Sequence, residues 1–180
     1  MSCVAAVVDE HKRIWMGGDS LVASGSELLP VDGRKVFIRG PYLIGAVGPC
    51  RFRQIMRFTA ALPEPEEGCI FEFMATKFTE AVRSAARSAG HATNEQGRES
   101  MNGCALVGVR GGRLFLLNSD FTIHEAEAGY VAIGGGRAHA LAVLYDRADF
   151  APKVRIERAL KAAQFLGSTV REPFYFESIR

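Results

Sequence analysis

The sequence has no apolar run approaching the roughly 20 residues that a bilayer-spanning helix needs, so no membrane association is expected. It has no block of like charge: the basic residues are scattered and the net charge is +2, which prepares no surface for nucleic acid. The start has no basic n-region, and Asp9-Glu10-His11-Lys12-Arg13 cuts the apolar stretch after Val8, against a secretory signal peptide. Cysteine is scarce and dispersed (Cys3, Cys50, Cys69, Cys104), with no two at metal-ligand spacing. The four histidines form no HxxxH or HExxH pattern. These absences predict reduced thiols in a cytoplasmic protein with no metal or other cofactor. Gly134-Gly135-Gly136 lacks the Lys-Ser/Thr of a Walker A motif and the G-x-G-x-x-G spacing, so it does not read as a phosphate loop.

What is present is a balanced chain of 180 residues, 48% apolar and 23% charged, enough for one domain over residues 1–180. Strands are expected over Cys3–Val8, Arg13–Met16, Lys35–Ile38 and Tyr42–Val47, with Ser24-Gly25-Ser26 and Asp32-Gly33 marking loops. A helix follows Pro49, and a longer one over Ile70–Ala89 carries Phe71, Met74, Phe78 and Val82 on one stripe. The polar stretch His91–Gly103 reads as a mobile loop. Strands return at Cys104–Val109 and Arg113–Leu117 around Gly111-Gly112, then at Phe121–His124 and Tyr130–Ile133. Helices Arg137–Tyr145 and Pro152–Leu166 and a strand Phe174–Ile179 finish the chain. This order predicts an α+β fold, a four-layer αββα sandwich of two antiparallel sheets, with the doubly apolar first strand in the centre of its sheet.

The start of the chain carries the chemistry. Initiator Met is trimmed when a small residue follows, so Ser2 is expected to become the N-terminus. Its hydroxyl then lies beside a free α-amine whose ordinary pKa is about 7.7–8.0, a base near neutral pH. Three further residues suit amide hydrolysis. Lys35 would favour a developing alkoxide and, by like charge, keep the amine neutral. Asp19, behind Gly17-Gly18, would hold Lys35. Gly48, after Leu43-Ile44-Gly45-Ala46-Val47 and before a helix, offers a backbone N–H to an oxyanion. A substrate pocket is expected from residues between Ser20 and Val31 and near Ala46 to Cys50.

In order and spacing, these residues resemble the proteasome β-subunit and HslV family of N-terminal nucleophile (Ntn) hydrolases, in its bacterial and phage proteasome-like branch. Ser2-Cys3-Val4-Ala5 is similar to the mature start, Gly18-Asp19-Ser20 to the Asp motif, and Lys35-Val36 to the Lys motif 16 residues on. Ile44-Gly45-Ala46-Val47-Gly48 resembles the oxyanion strand, and Ala132-Ile133-Gly134-Gly135-Gly136 occupies the place of the Gly-Ser-Gly strand end. The resemblance implies an Ntn-hydrolase fold, a threonine- or serine-type endopeptidase or amidase, a peptide or unfolded-protein substrate, and a homo-oligomer such as a ring, with an ATPase as a conceivable partner. It departs from the family in three places. Ser replaces the usual Thr, Gly135 stands at the family's Ser, and Phe165-Leu166-Gly167-Ser168-Thr169-Val170 offers no second Asp, leaving Ser168 or Thr169 as substitutes. Ungapped counting from Asp19 puts Cys3 at the nucleophile position. Ser2 is favoured because Met1 removal exposes it and because it aligns Val4-Ala5-Ala6, with Cys3 as the alternative. The competing functional reading is a catalytically inactive ring or assembly subunit.

Overall fold

A computed structural model describes residues 2–24, 27–29, 31–95, 97–167 and 169–180. Met1, Gly25, Ser26 and Ser168, which entered the sequence reading, lie outside the described residues.

Two antiparallel sheets pack face to face. The first has the order β12 (Tyr130–Gly134), β1 (Cys3–Val8), β2 (Ile14–Asp19), β13 (Phe174–Ile179). The second has the order β11 (Ile123–Glu125), β10 (Arg113–Leu117), β9 (Cys104–Val109), β6 (Tyr42–Val47), β5 (Val36–Arg39). Two short hairpins stand apart: β3 (Ala23–Ser24) with β4 (Glu27–Leu28), and β7 (Ala92–Glu95) with β8 (Arg98–Met101).

The alternation of β1 builds two of the three core layers. Val4 and Ala6 face the second sheet, meeting Val36, Leu43, Val47, Leu106 and Leu114. Cys3, Ala5 and Val7 face outward onto α4 (Arg137–Asp146) and α5 (Pro152–Leu166), where Leu144, Ile156, Ala159 and Leu160 cover them. A strand buried on both faces must be apolar throughout, and its hydrogen bonds must go to neighbours on both edges, which fixes β1 between β12 and β2.

The third layer covers the outer face of the second sheet. Here α1 (Cys50–Gln54) continues as a π-helical turn Ile55–Thr59, and α2 (Ile70–Phe73) runs through π-helical Met74–Phe78 into α3 (Thr79–Ser88). Phe52, Met74, Phe78 and Val82 pack on Tyr42, Ile44 and Phe115. Phe52, Phe78 and Phe115 are fully buried, each contributing about 1.5–3 kcal/mol by leaving water. The layering is therefore helix, sheet, sheet, helix, as the order of elements predicted.

The segment His91–Gly103 differs from expectation. It holds the β7–β8 hairpin, with Thr93 opposite Ser100 and Glu95 opposite Arg98. β2 also runs on through Gly17, Gly18 and Asp19 where the glycines had suggested a break. A Cβ on Gly17 would lie 2.7 Å from Ile156 and 2.8 Å from Phe176, so the absent side chain is what lets α5 and β13 close on the strand.

Candidate active site

The antiparallel register of β1 with β2 places Val4 opposite Gly18, which brings the start of the chain beside Asp19. The Cys3 backbone N–H donates to Asp19 Oδ1 at 2.8 Å, and the Leu21 N–H donates to Oδ2 at 3.1 Å. Lys35 stands just before β5, where its carbonyl accepts from the Ala46 N–H at 2.9 Å. Its ammonium crosses to the end of β2 and donates to Asp19 Oδ2 at 2.9 Å, to the Leu21 carbonyl at 2.9 Å and to the Asp19 carbonyl at 3.1 Å. Three donors thus meet three acceptors. Asp19 is 0% and Lys35 2% exposed, so this is a buried ion pair bridging the two sheets. Burial pushes the Lys35 ammonium below its ordinary pKa, while the Asp19 charge pulls it back up.

Ser2 directly precedes Cys3 and is 9% exposed. Its carbonyl accepts from the Gly136 N–H at 3.3 Å. Gly134, at φ +93°, passes so close that a Cβ there would lie 2.1 Å from the Ser2 carbonyl oxygen. β12 can pair with β1 to its last residue only because that position is glycine. Gly48 follows β6 at φ +128°, and a Cβ would strike Gly103 Cα at 2.8 Å and the Asn102 carbonyl oxygen at 2.9 Å.

Ser2, Gly48 and Gly135 line one cavity of about 720 Å³. Asp19 and Lys35 are not on its wall; Asp19 is joined to β1 through the Cys3 N–H, and Lys35 to Asp19. The Cys3 thiol is placed elsewhere. Strand alternation sends it into the α4–α5 layer, 0% exposed, where burial above all, with the Asp19 charge, pushes its pKa up to about 12.

The rest of the cavity wall comes largely from segments outside the anticipated pocket: Thr93, Glu95 and Ser100 of the hairpin, Asn102, Asn118-Ser119, and Arg137. Ser20, Leu21, Val22, Leu29 and Val31 line a separate hollow of about 410 Å³. No motif marks the hairpin or Asn118-Ser119. The usable signal was positional, since both flank strands that run to the same edge as Gly48. Among the described residues no cluster of His, Cys, Asp and Glu is arranged to hold a metal, and no helix is long and apolar enough to cross a membrane.

Solved structures share this layout over almost the whole chain. Thiobacillus denitrificans BPH in complex with epoxomicin superposes with a TM-score of 0.81 and 18% identity, covering 98% of this chain and 97% of that one. The chain has the fold of the proteasome-type subunits. HslV from Trypanosoma brucei matches this Ntn-hydrolase sandwich at TM-score 0.69 and 20% identity, over 98% of each chain. Anbu from Hyphomicrobium sp. strain MC1, a Gly-1 mutant, matches at 0.67 and 16%, over 98% of this chain and 80% of that one. No protein-family model matches the sequence, and no curated protein does.

Proposed function

We propose that the protein is a peptidase or amidase of the N-terminal nucleophile type, with Ser2 as the nucleophile once Met1 is removed. The observation that carries the reading is that Ser2 and Gly48 line one cavity, while the next residue, Cys3, donates its N–H to the Asp19 of the buried Asp19–Lys35 pair. In this reading the α-amine takes the proton from Ser2 Oγ as it attacks the substrate carbonyl. The Gly48 N–H donates to the oxyanion, and the amine then returns the proton to the leaving nitrogen, leaving an acyl ester that water hydrolyses. Lys35, with its charge anchored by Asp19, disfavours protonation of the amine and so keeps it a base. The buried, high-pKa thiol of Cys3 favours Ser2 over Cys3 for the attack. The substrate is a peptide or an unfolded segment, and the exposed Phe58, Tyr145, Phe165 and Leu166 supply apolar surface for association with further copies in a ring.

A second reading is an inactive assembly subunit. It is favoured by Gly135, which has no hydroxyl to support the amine, and by a Lys35 ammonium already committed to three acceptors. Intact mass and a peptide epoxyketone separate the two. The reagent has two electrophilic centres, suited to a residue bearing both a hydroxyl and an amine. The hydrolase reading expects mass loss of Met1 and stoichiometric labelling that vanishes in Ser2→Ala. Met1 retained in every molecule, or labelling unchanged in Ser2→Ala, sinks it.

A further inference from the structure

The β7–β8 hairpin is polar, and only Met101 of its strand residues is buried. Something other than apolar packing must therefore hold most of it in place. Glu99 does so from its centre. Its carboxylate, 12% exposed, accepts from Arg83 Nε at 2.5 Å, from Arg87 Nη2 at 2.6 Å and from Arg87 Nε, so two guanidiniums of α3 grip one carboxylate of β8. These bonds, Arg87's first, hold the Glu99 carboxyl down at about 2, so the clamp stays charged across the working pH range. At the other end of the hairpin the His91 N–H donates to the Ala86 carbonyl of α3 at 2.8 Å.

The residues after Glu99 run directly into the Ser2 cavity. Ser100, Met101, Asn102 and Gly103 form its wall, and the Met101 N–H donates to the Ser119 carbonyl at 2.8 Å. Asn102 and Gly103 press on the one face of Gly48 where a Cβ would have been. Behind Gly103 is the Phe52 ring, 2.5 Å from where its own Cβ would lie. Gly48 is thus backed by Asn102-Gly103, and that segment is tied through Glu99 to α3.

We infer that Glu99 is a positioning residue: gripped by Arg83 and Arg87, it fixes the hairpin so that Asn102 and Gly103 hold Gly48, and with it one wall of the Ser2 cavity, in register. The catalytic part of this inference rests on the hydrolase reading, whereas the mechanical part does not. A donor that must meet a developing oxyanion acts in the transition state, so loosening its support lowers kcat more than it raises KM.

The test is Glu99→Gln, which keeps the shape of the side chain and removes its charge. Amide hydrogen exchange over residues 98–103 and steady-state hydrolysis of a fluorogenic peptide are measured on the same preparation. The expected result is exchange roughly tenfold faster in that segment and not in β1, with kcat roughly tenfold lower and KM changed less than about threefold. Should Glu99→Gln fail to fold, Arg87→Gln loosens the clamp from its exposed side and carries the same expectation. Unchanged exchange overturns the inference whatever the activity, and so does faster exchange with unchanged kcat. A wild-type protein with Ser2 exposed that hydrolyses nothing overturns the hydrolase reading and the catalytic half of the inference, while exchange alone then decides whether the clamp exists.

Discussion

Replacing Asp19 by alanine tests the buried pair most directly. The change removes the carboxylate bonded to Lys35 and leaves the ammonium with the Leu21 and residue-19 carbonyls, in a place where the lysine is 2% exposed. Breaking a buried pair from one side costs about 3–5 kcal/mol, because the remaining charge is uncompensated. The N–H groups of Cys3 and Leu21 also lose their acceptor, each worth about 1–3 kcal/mol if it stays dry. Asp19→Ala should therefore lose at least about 4 kcal/mol in urea unfolding at pH 7. Removing the stranded charge as well, in Asp19→Ala/Lys35→Met, should recover about 2 kcal/mol of that loss. The pH dependence has a definite sign. Burial already depresses the Lys35 pKa from its ordinary 10.5, and losing Asp19 removes the pull that opposed this. Between the depressed folded value and 10.5 the unfolded chain binds more protons than the folded one, so stability rises with pH through that window. The rise should be steeper in Asp19→Ala than in wild type and absent from this site in the double variant. A cost below about 1 kcal/mol, or a double variant no more stable than Asp19→Ala, refutes the buried-pair reasoning.

Gly48→Ala places a Cβ 2.8 Å from Gly103 Cα at φ +128°, so a thermal melt should show destabilisation of about 2–4 kcal/mol, and any hydrolytic activity should fall with it. Maleimide at pH 8 should modify the exposed Cys50 and Cys69 within minutes and leave Cys3 unreacted until the protein is unfolded, as peptide mapping would show. Gly134→Ala should be more damaging than Gly48→Ala, since its Cβ would lie 2.1 Å from the Ser2 carbonyl. Expression of a stable protein with that change would contradict the described approach of β12 to the chain start.

Much of the scaffold was legible because strong local signals agree with the final packing. β1, β9 and β10 fall on the expected residues, since an apolar run bounded by turn residues has few other ways to bury itself. Pro152 opens α5 at the position where its missing N–H costs nothing. The hairpin at residues 92–101 was not legible. Its strands bury little, and its hold on α3 comes from one glutamate meeting two arginines, a tertiary event with no local pattern. The π-helical turns after Gln54 and Phe73 likewise have no sequence signature. At the site, the position behind Met1 pointed to Ser2, and order and spacing to Asp19, Lys35 and Gly48; one register brings the end of β2 to the start of β1. Spacing did not reveal the wall opposite them, for that wall is assembled from the ends of β8, β10 and β12 and the first residue of α4.

Ser2 lies where β1 enters the middle of a sheet, with a neighbour strand on each side, and it lines the cavity. Peptide fused ahead of it would start at the wall of the space a substrate would need. An affinity tag at that end would begin beside the cavity and leave Ser2 without a free amine, whereas one after Arg180 would extend from β13 at the edge of the sheet, which contributes nothing to the cavity wall. For this molecule the choice of which end to tag is therefore a choice between a blocked and a free Ser2 amine.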